Sequence, residues 1–338
     1  MTKHTIVAAD AAIKLGMAVL WAAVCCLGGC VHHRPTTRPD RATAAYVQGA
    51  LAYQHGDAET AVSELSEAVQ ENPDLTMAHV LLGDIYRSRT DYRDAADHYE
   101  VAARLDPYDY KNHYNLGITY QFLSRLQEAV ACYLRALKLK PTDLNSNMNL
   151  GLVYLALNQP DDALAMMQRA VKVDPKSAAA HCNLGVALEA KGNFAAAELE
   201  YRRAVELDGQ STVALMDLAG NLIRQGHGAD AVAVMRAELK LSDTTVARKR
   251  YGDALVLDGL DDDAYRQYAE ALRRKPDYWQ ALNQTGMILL RRYIAGSELE
   301  EPVRKQAIAT WQRSLELNPN QPQIQALINK WNTTQAFP

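Results

Sequence analysis

The chain has 338 residues and an ordinary hydrophobic content of 48%, so it is long enough for several globular domains or for one repeat array. Charged residues make up 22% of the chain, which indicates neither a disordered protein nor a polytopic membrane protein. The net charge of −4 argues against a nucleic-acid partner, because surfaces that bind nucleic acid carry a basic excess.

The first 29 residues have the features of a secretory signal peptide. Lys3 and Lys14 precede an apolar run at 15–29 that ends in small residues and is short for a stable membrane span. The sequence LGGC at 27–30 resembles the bacterial lipobox, Leu-small-small-Cys. That resemblance implies cleavage before Cys30, whose sulfur then carries a diacylglycerol that anchors the mature protein. An uncleaved N-terminal membrane anchor is the alternative.

Both alternatives place the rest of the chain outside the cytoplasm. Val31 follows the cysteine, and by resemblance to enterobacterial sorting a non-acidic residue there implies a bacterial lipoprotein of the outer membrane, facing the periplasm. The segment HHRPTTRPDR at 32–41 has two prolines and no large apolar side chain. We therefore assign 30–41 to the lipidated cysteine and a flexible tether.

A repeat of 34 residues follows the tether. Prolines recur at this interval at 73, 107, 141 and 175, and other residues keep fixed offsets between them. In the third unit these columns are occupied by Leu116, Gly117, Tyr120, Ala129, Tyr133, Ala136 and Pro141. The pattern closely resembles the tetratricopeptide repeat. This resemblance implies an all-α, right-handed superhelical solenoid of about eight helix-turn-helix repeats with a C-terminal capping helix.

The array is predicted to span 42–320. We place its units at about 42–75, 76–109, 110–143, 144–177, 178–211, 212–244, 245–278 and 279–321. The last unit contains an insertion near 293–302, and inserts in repeat arrays usually form loops. Beyond it, 322–333 has apolar residues on one side only, which predicts the capping helix.

The repeated columns also predict how each unit packs. The glycine lets the first helix approach the second, and we expect the aromatic of the second helix, such as Tyr99, to fill the gap to the next unit. The turns between paired helices carry residues that tolerate a left-handed backbone. These turn residues are Gly56, Asn158, Gly192, Gly226 and Gly259.

An asparagine precedes Leu-Gly in three consecutive units, at Asn115, Asn149 and Asn183. An amide can donate to and accept from the backbone of an extended peptide whatever its side chains are. The repeats of the O-linked N-acetylglucosamine transferases have a similar asparagine ladder, which holds bound polypeptide, and the resemblance implies the same role here. The alternative is that asparagine is merely common in this column. Asp217 and Gln284 continue the polar line.

Apolar residues flank these asparagines, and a wet apolar strip on the inner surface would mark a binding site. We therefore predict a partner-binding groove formed by the three asparagines and seven apolar or aromatic neighbours. The neighbours are Tyr114, Ile118, Phe122, Met148, Leu152, Val186 and Met216. The alternative is that several of them pack between helices.

Residues for catalysis or metal binding are not found in a fitting pattern. His79, His113 and His181 share one column but lie whole repeats apart, so we expect packing or hydrogen-bonding roles rather than shared metal ligation. Phosphate loops, serine elbows and paired carboxylates are not found in a fitting context either. We predict a protein that is not an enzyme and has no metal or cofactor.

The leading hypothesis is a membrane-anchored scaffold whose groove grips an extended segment of a protein partner. Such lipoproteins assist the assembly of cell-envelope complexes, such as those for pili, secretins or outer-membrane biogenesis. The alternative is an accessory subunit of a polysaccharide export or synthesis complex that docks through its convex face and its insertion.

Overall fold

The computed structural model describes residues 40–296 and 301–332. The predicted signal peptide at 1–29, the lipidation site Cys30 and the tether up to residue 39 lie outside the described residues. Within the described ranges, no helix is both long enough and apolar enough to cross a membrane.

The described residues form 17 helices and no strand. They fall into two compact units that divide after Pro141. The first unit contains α1 (Arg41–Gln54), α2 (Ala58–Glu71), α3 (Thr76–Ser88), α4 (Tyr92–Leu105), α5 (Tyr110–Phe122) and α6 (Leu126–Leu139). Consecutive helices pair as α1/α2, α3/α4 and α5/α6, so this unit consists of three helical hairpins.

The second unit begins at Thr142 and contains five hairpins and a final helix. The first three hairpins comprise α7 (Leu144–Ala156), α8 (Pro160–Val173), α9 (Ala178–Ala190), α10 (Phe194–Leu207), α11 (Thr212–Gln225) and α12 (Gly228–Leu241). The remaining helices are α13 (Thr245–Leu257), α14 (Asp261–Arg274), α15 (Trp279–Ala295), α16 (Glu301–Leu317) and α17 (Pro322–Asn332).

Local sequence sets the ends of many of these helices. Side-chain oxygens of Asp57, Ser177 and Asn193 accept from the backbone N–H groups three residues later, which satisfies donors that the first turn leaves unpaired. The first helix of each of seven hairpins is followed by a turn residue with a positive φ. Five of these are the predicted left-handed residues, and Asn158 has a φ of 57°. The other two, Thr90 and Ser124, are not glycine or asparagine, and the sequence analysis missed them.

In five of the eight described hairpins an aromatic ring of the second helix meets a glycine of the first helix. A Cβ on Gly83 would lie 2.7 Å from the Tyr99 ring, and one on Gly252 would lie 2.5 Å from the Tyr268 ring. The expectation that Tyr99 fills the gap to the next unit is therefore wrong, since its ring is seated on the glycine of its own hairpin. A larger residue at the glycine would push the two helices apart, which explains why the two columns recur together.

Contacts between residues 30 positions apart in the sequence join neighbouring hairpins at the turns between paired helices. In the second unit Arg291 Nη1 lies 3.0 Å from Asp261 Oδ1, and Arg292 Nη2 lies 2.8 Å from Asp262 Oδ1. The acidic partner stands in the first turn of a second helix, where a negative charge also suits the helix dipole. In the first unit Arg89 Nη2 lies 3.0 Å from Glu59 Oε1 in the same way, and Phe122 stacks on Tyr92 at the next turn.

The insertion near 293–302 lengthens two helices rather than forming only a loop. Its first residues extend α15 and its last begin α16, so both helices have 17 residues where most first and second helices have 13 or 14. Arg304 in this added turn is buried, pairs with Glu301 and donates to the carbonyl of Trp331 in α17. The insertion therefore supports the capping helix, whose Ile324 and Ile328 are buried.

Candidate functional site

The first helices of the hairpins line one surface of the second unit. In this unit α7 contacts α9, α9 contacts α11, and α11 contacts α13, each skipping the second helix between them. We call the surface formed by these four helices the inner surface. Side chains on the inner surface can therefore contact side chains of the neighbouring hairpins directly.

Asn149 and Asn183 lie on α7 and α9 and are both half-buried. Within residues 40–296 and 301–332, the Asn183 side chain forms no hydrogen bond to the protein. Its amide is therefore available for a ligand's N–H or C=O group. One hairpin further on, Asp217 takes the same column, and burial raises the pKa of its carboxyl while Arg250 opposes that rise.

Asn115 belongs to the first unit and is already engaged there. Its Oδ1 accepts from Arg87 Nη1 at 3.3 Å. Arg87 also pairs with Asp84 at 2.9 Å, and Asp84 accepts the hydroxyl of Tyr99 at 2.6 Å. The amide of Asn115 thus ends a polar chain that starts in the hairpin core, and a ligand would have to share its oxygen with Arg87.

The predicted apolar neighbours in the second unit divide between the surface and the core. Leu152 packs beside the core residues Ala163 and Met167, and Val186 packs against another buried cluster. Both keep some exposed area, as do Met148 and Met216. All four residues are thus partly accessible, and two of them, Leu152 and Val186, also stabilise helix packing.

The three neighbours in the first unit have different surroundings. Tyr114 lies with its ring centroid 6.1 Å from that of Tyr133 in the same hairpin, and Ile118 is half-buried. Phe122 is 59% exposed but stacks on Tyr92, with ring centroids 4.6 Å apart and planes 7° from parallel. It therefore lies at the turns, where it joins two hairpins.

The sequence analysis missed a change in the inner surface at α11. Gly220 occupies the column of Leu152 and Val186, and a Cβ there would lie 3.9 Å from Arg224 and 4.0 Å from Arg250. Arg224 pairs with Glu189, and Arg250 donates to the carbonyl of Met216 at 3.1 Å. Continuing the asparagine column past Asp217 would have revealed Arg250. The surface thus carries amides and apolar residues on α7 and α9, an ion pair between Glu189 at the end of α9 and Arg224 of α11, and Arg250 on α13.

The histidine column serves the loops between repeats. Nε2 of His79, His113 and His181 lies 3.0–3.1 Å from the carbonyls of prolines six residues earlier, in agreement with the predicted hydrogen-bonding role. Among the residues that the structure describes, no three His, Cys, Asp or Glu side chains converge as metal ligands would. Burial raises the pKa of both described thiols, Cys132 and Cys182, to about 12.

Comparison with known proteins gives a consistent result. Two sequence-family models, each described as tetratricopeptide repeat, match the chain, one at 46–110 and 148–212 and the other at 111–176. No curated protein sequence matches significantly.

Solved structures with similar folds include a tetratricopeptide repeat protein from Parabacteroides merdae, with 16% identity over 76% of this chain and 99% of that one, at a TM-score of 0.58. A chain of the APC/C hetero-tetramer Cut9–Hcn1 has 13% identity over 84% of this chain and 55% of that one, also at 0.58. YrrB, described as having an unusual peptide-binding site, has 21% identity over 55% of this chain and 97% of that one, at 0.47. The two similarities at a TM-score of 0.58 establish the fold alone, and they confirm the predicted all-α repeat architecture.

Proposed function

Since residues 46–212 are tetratricopeptide repeats within an all-α array of helical hairpins, we propose that the protein is a binding scaffold whose inner surface grips an extended segment of a protein partner. The observation that carries this proposal is Asn183, a half-buried amide without a hydrogen-bond partner among the described residues, in a column shared with Asn149. A repeated amide suits a repeated peptide backbone.

The surroundings of these amides indicate which part of a partner they would hold. Met148 and Leu152 lie near Asn149 in the chain and are half-buried, so apolar side chains of an extended segment could cover them. Adaptable thioethers suit such contacts. On α11 the guanidinium of Arg224 already pairs with Glu189, which lies at the end of α9. The partner segment that we propose is therefore apolar and extended over α7 and α9.

We further propose that the protein is held at a membrane of the bacterial cell envelope through Cys30, and that it acts there in assembly of an envelope complex rather than as an enzyme. The support for this is the LGGC sequence at 27–30 after an apolar run. Two or more acyl chains on a cysteine anchor a protein stably, whereas a single chain binds only marginally. The prolines of the segment at 32–41 suit a spacer between such an anchor and the repeats.

In-cell photo-crosslinking tests the groove directly. A photoreactive amino acid at Asn145, which is exposed one turn before Asn149 on α7, should give a specific protein adduct identified by mass spectrometry. Replacing Asn149 and Asn183 by alanine should reduce that adduct at least about tenfold, because each lost hydrogen bond is worth roughly 1 kcal/mol.

A probe at Gln168, which is exposed on the second helix α8, is the matched control and should give no such adduct. If the Gln168 probe or a probe at Pro302 crosslinks the partner while the Asn145 probe does not, the convex-face alternative is right and the groove proposal is wrong. A blank at all three positions, with the protein folded and membrane-bound, also contradicts binding in the groove.

A further inference from the structure

Two histidines face each other inside the second hairpin. His79 on α3 is buried, and its Nδ1 lies 3.1 Å from Nδ1 of His98 on α4. The two histidine ring centroids are 5.3 Å apart, and the ring of Tyr86 stacks on His98 with centroids 5.6 Å apart. The pair spans the hairpin, so its hydrogen bond joins the two helices of one repeat.

The other nitrogen of His79 fixes where the protons are. Nε2 of His79 lies 3.0 Å from the carbonyl oxygen of Pro73, which can only accept, so this nitrogen carries a hydrogen. In the neutral ring Nδ1 of His79 is then an acceptor, and Nδ1 of His98 must donate to it. A proton on Nε2 of His98 leaves that bond intact. A second proton, on Nδ1 of His79, makes both facing nitrogens donors and places two cations against each other.

Charges around the pair act in both directions. Burial is the largest cause that lowers the pKa of His79, and Arg104 of α4 adds to it, whereas Pro73 and Asp74 of the preceding loop oppose it. Burial likewise lowers the pKa of His98, and His79 adds to it, whereas Asp97 and Asp94 of α4 oppose it. For both histidines the depressed pKa means that the folded hairpin disfavours the protonated rings.

The sign of the pH effect follows from these directions. Both pKa values in the folded state lie below the ordinary value of 6.5, so the unfolded state binds more protons as the pH falls through that value. The stability that the neutral pair contributes is thus fully present above about pH 6.5 and is lost progressively below it.

In the fifth hairpin, three repeats further along the chain, His181 and Glu200 occupy the positions of His79 and His98. Nε2 of His181 again lies 3.0 Å from a proline carbonyl, that of Pro175. Its Nδ1, however, lies 2.6 Å from Oε2 of Glu200, in the position equivalent to His98. A carboxylate accepts from a protonated imidazole more strongly than from a neutral one, so acid does not break this pair while the carboxylate stays ionised.

We propose that the His79–His98 pair is an acid-labile latch that holds α3 to α4 at neutral pH and opens when both imidazoles are protonated. The latch is connected to the surface: Tyr99, the residue after His98, donates to Asp84, which pairs with Arg87, the hydrogen-bond partner of Asn115. Opening of the latch loosens this polar chain in the first unit. The inference stands whether or not the inner surface binds a peptide.

Amide hydrogen exchange between pH 7.5 and pH 5.0, in buffer with a chelator and corrected for the intrinsic exchange rate, measures the latch. Protection at residues 76–105 should fall at least about tenfold, which corresponds to roughly 1.4 kcal/mol. Protection at residues 178–207, the fifth hairpin, should not fall in parallel. A parallel loss in both hairpins would mean general acid destabilisation and would overturn the proposal.

Two reciprocal substitutions exchange the chemistry of the two sites. His98→Glu installs the arrangement of the fifth hairpin and should abolish the acid-induced loss at 76–105. Glu200→His installs the latch in the fifth hairpin and should create an acid-induced loss at 178–207. Circular dichroism at pH 7.5 shows whether each variant folds, and His98→Gln provides a second, non-titrating variant that should flatten the profile. If amide protection at 76–105 keeps the same pH dependence in folded His98→Glu and His98→Gln, the latch proposal is wrong.

Discussion

At the scale of single residues, the turns between paired helices require a positive φ at one position, and the residue type at that position can be compared with this requirement. Five of the seven positive-φ positions carry glycine or asparagine, which reach this conformation at little cost. Thr90 and Ser124 adopt it as well, with φ angles of 67° and 59°. A β-branched residue in this region is strained, so the packed hairpin must hold Thr90 there.

Thr90→Gly should therefore stabilise the protein, by up to about 1 kcal/mol after the larger entropy of the unfolded glycine chain is subtracted. The reverse change at the equivalent turn, Gly56→Thr, should destabilise it, and because nothing lies within 4 Å of a Cβ at Gly56 the cost is purely one of backbone conformation. The midpoint of urea unfolding reports both. A Thr90→Gly variant that is less stable than the parent would show that the threonine side chain contributes more than its strain costs.

At the scale of packed helices, one second helix breaks the rule of its column. Six second helices place an alanine that is fully buried at the same position, among them Ala204 and Ala271. In α12 the residue is Glu238, which is 1% exposed, and its Oε2 has no hydrogen-bond partner among the described residues. Burial raises the pKa of this carboxyl, Arg250 opposes the rise and Asp243 adds to it. The packing of α12 against α13 is therefore weakened by a buried acid.

Glu238→Ala should raise the free energy of unfolding by about 1–3 kcal/mol, because it removes an unsatisfied buried carboxyl and restores the small residue. The raised pKa of Glu238 means that the folded state binds this proton more tightly than the unfolded state does. The unsubstituted protein therefore loses stability as the pH rises from the ordinary pKa of glutamate through the pKa of Glu238 in the folded state. The gain from the substitution should accordingly be larger at pH 7.5 than at pH 4.5.

Glu238→Gln keeps the size of the side chain and removes its charge, and it should recover only part of the gain. Urea unfolding of the three proteins at both pH values separates the contribution of charge from that of volume. An alanine variant that is less stable than the parent at pH 7.5 would mean that Glu238 has a compensating partner, such as Arg250, that outweighs its burial.

At the scale of the whole molecule, the described helices follow one another as repeated hairpins. Eight hairpins and a capping helix make up the described residues, and the first helices of the second unit form the inner surface. The proposed membrane attachment lies before the repeats, at Cys30. Anchor, spacer and binding surface would then follow one another along the chain, each with its own chemistry.

Cys30→Ser should abolish incorporation of labelled fatty acid and move the protein from the membrane fraction to the soluble fraction, since acyl chains supply the anchoring in the proposal. Cys25→Ser and Cys26→Ser are matched controls in the same apolar run, and they should leave both readouts unchanged. A Cys30→Ser protein that stays in the membrane fraction would favour the uncleaved N-terminal anchor.

Much of the architecture could be predicted from the sequence because the 34-residue period imposes the same local demands in each unit. Leu-Gly pairs, buried alanines, turn glycines and the histidine column recur at fixed offsets, and each contacts residues of its own hairpin or of the loop just before it. The candidate site stays a prediction, and Asn149, Asn183 and Met148 are partly accessible on their helices. Thr90 and Ser124 were missed because their residue types differ from the glycine or asparagine of the other turns, although their backbone conformation is the same.

Only the tertiary structure decided which side chains meet across helices. Phe122 stacks on Tyr92, Asn115 shares its oxygen with Arg87, and the described ends of the insertion extend α15 and α16. His79 meets a histidine where His181 meets a carboxylate, although the two share one column. These contacts join residues 19 to 30 positions apart, whose distance depends on how the helices pack, and a sequence period fixes which residues recur but not what each one touches.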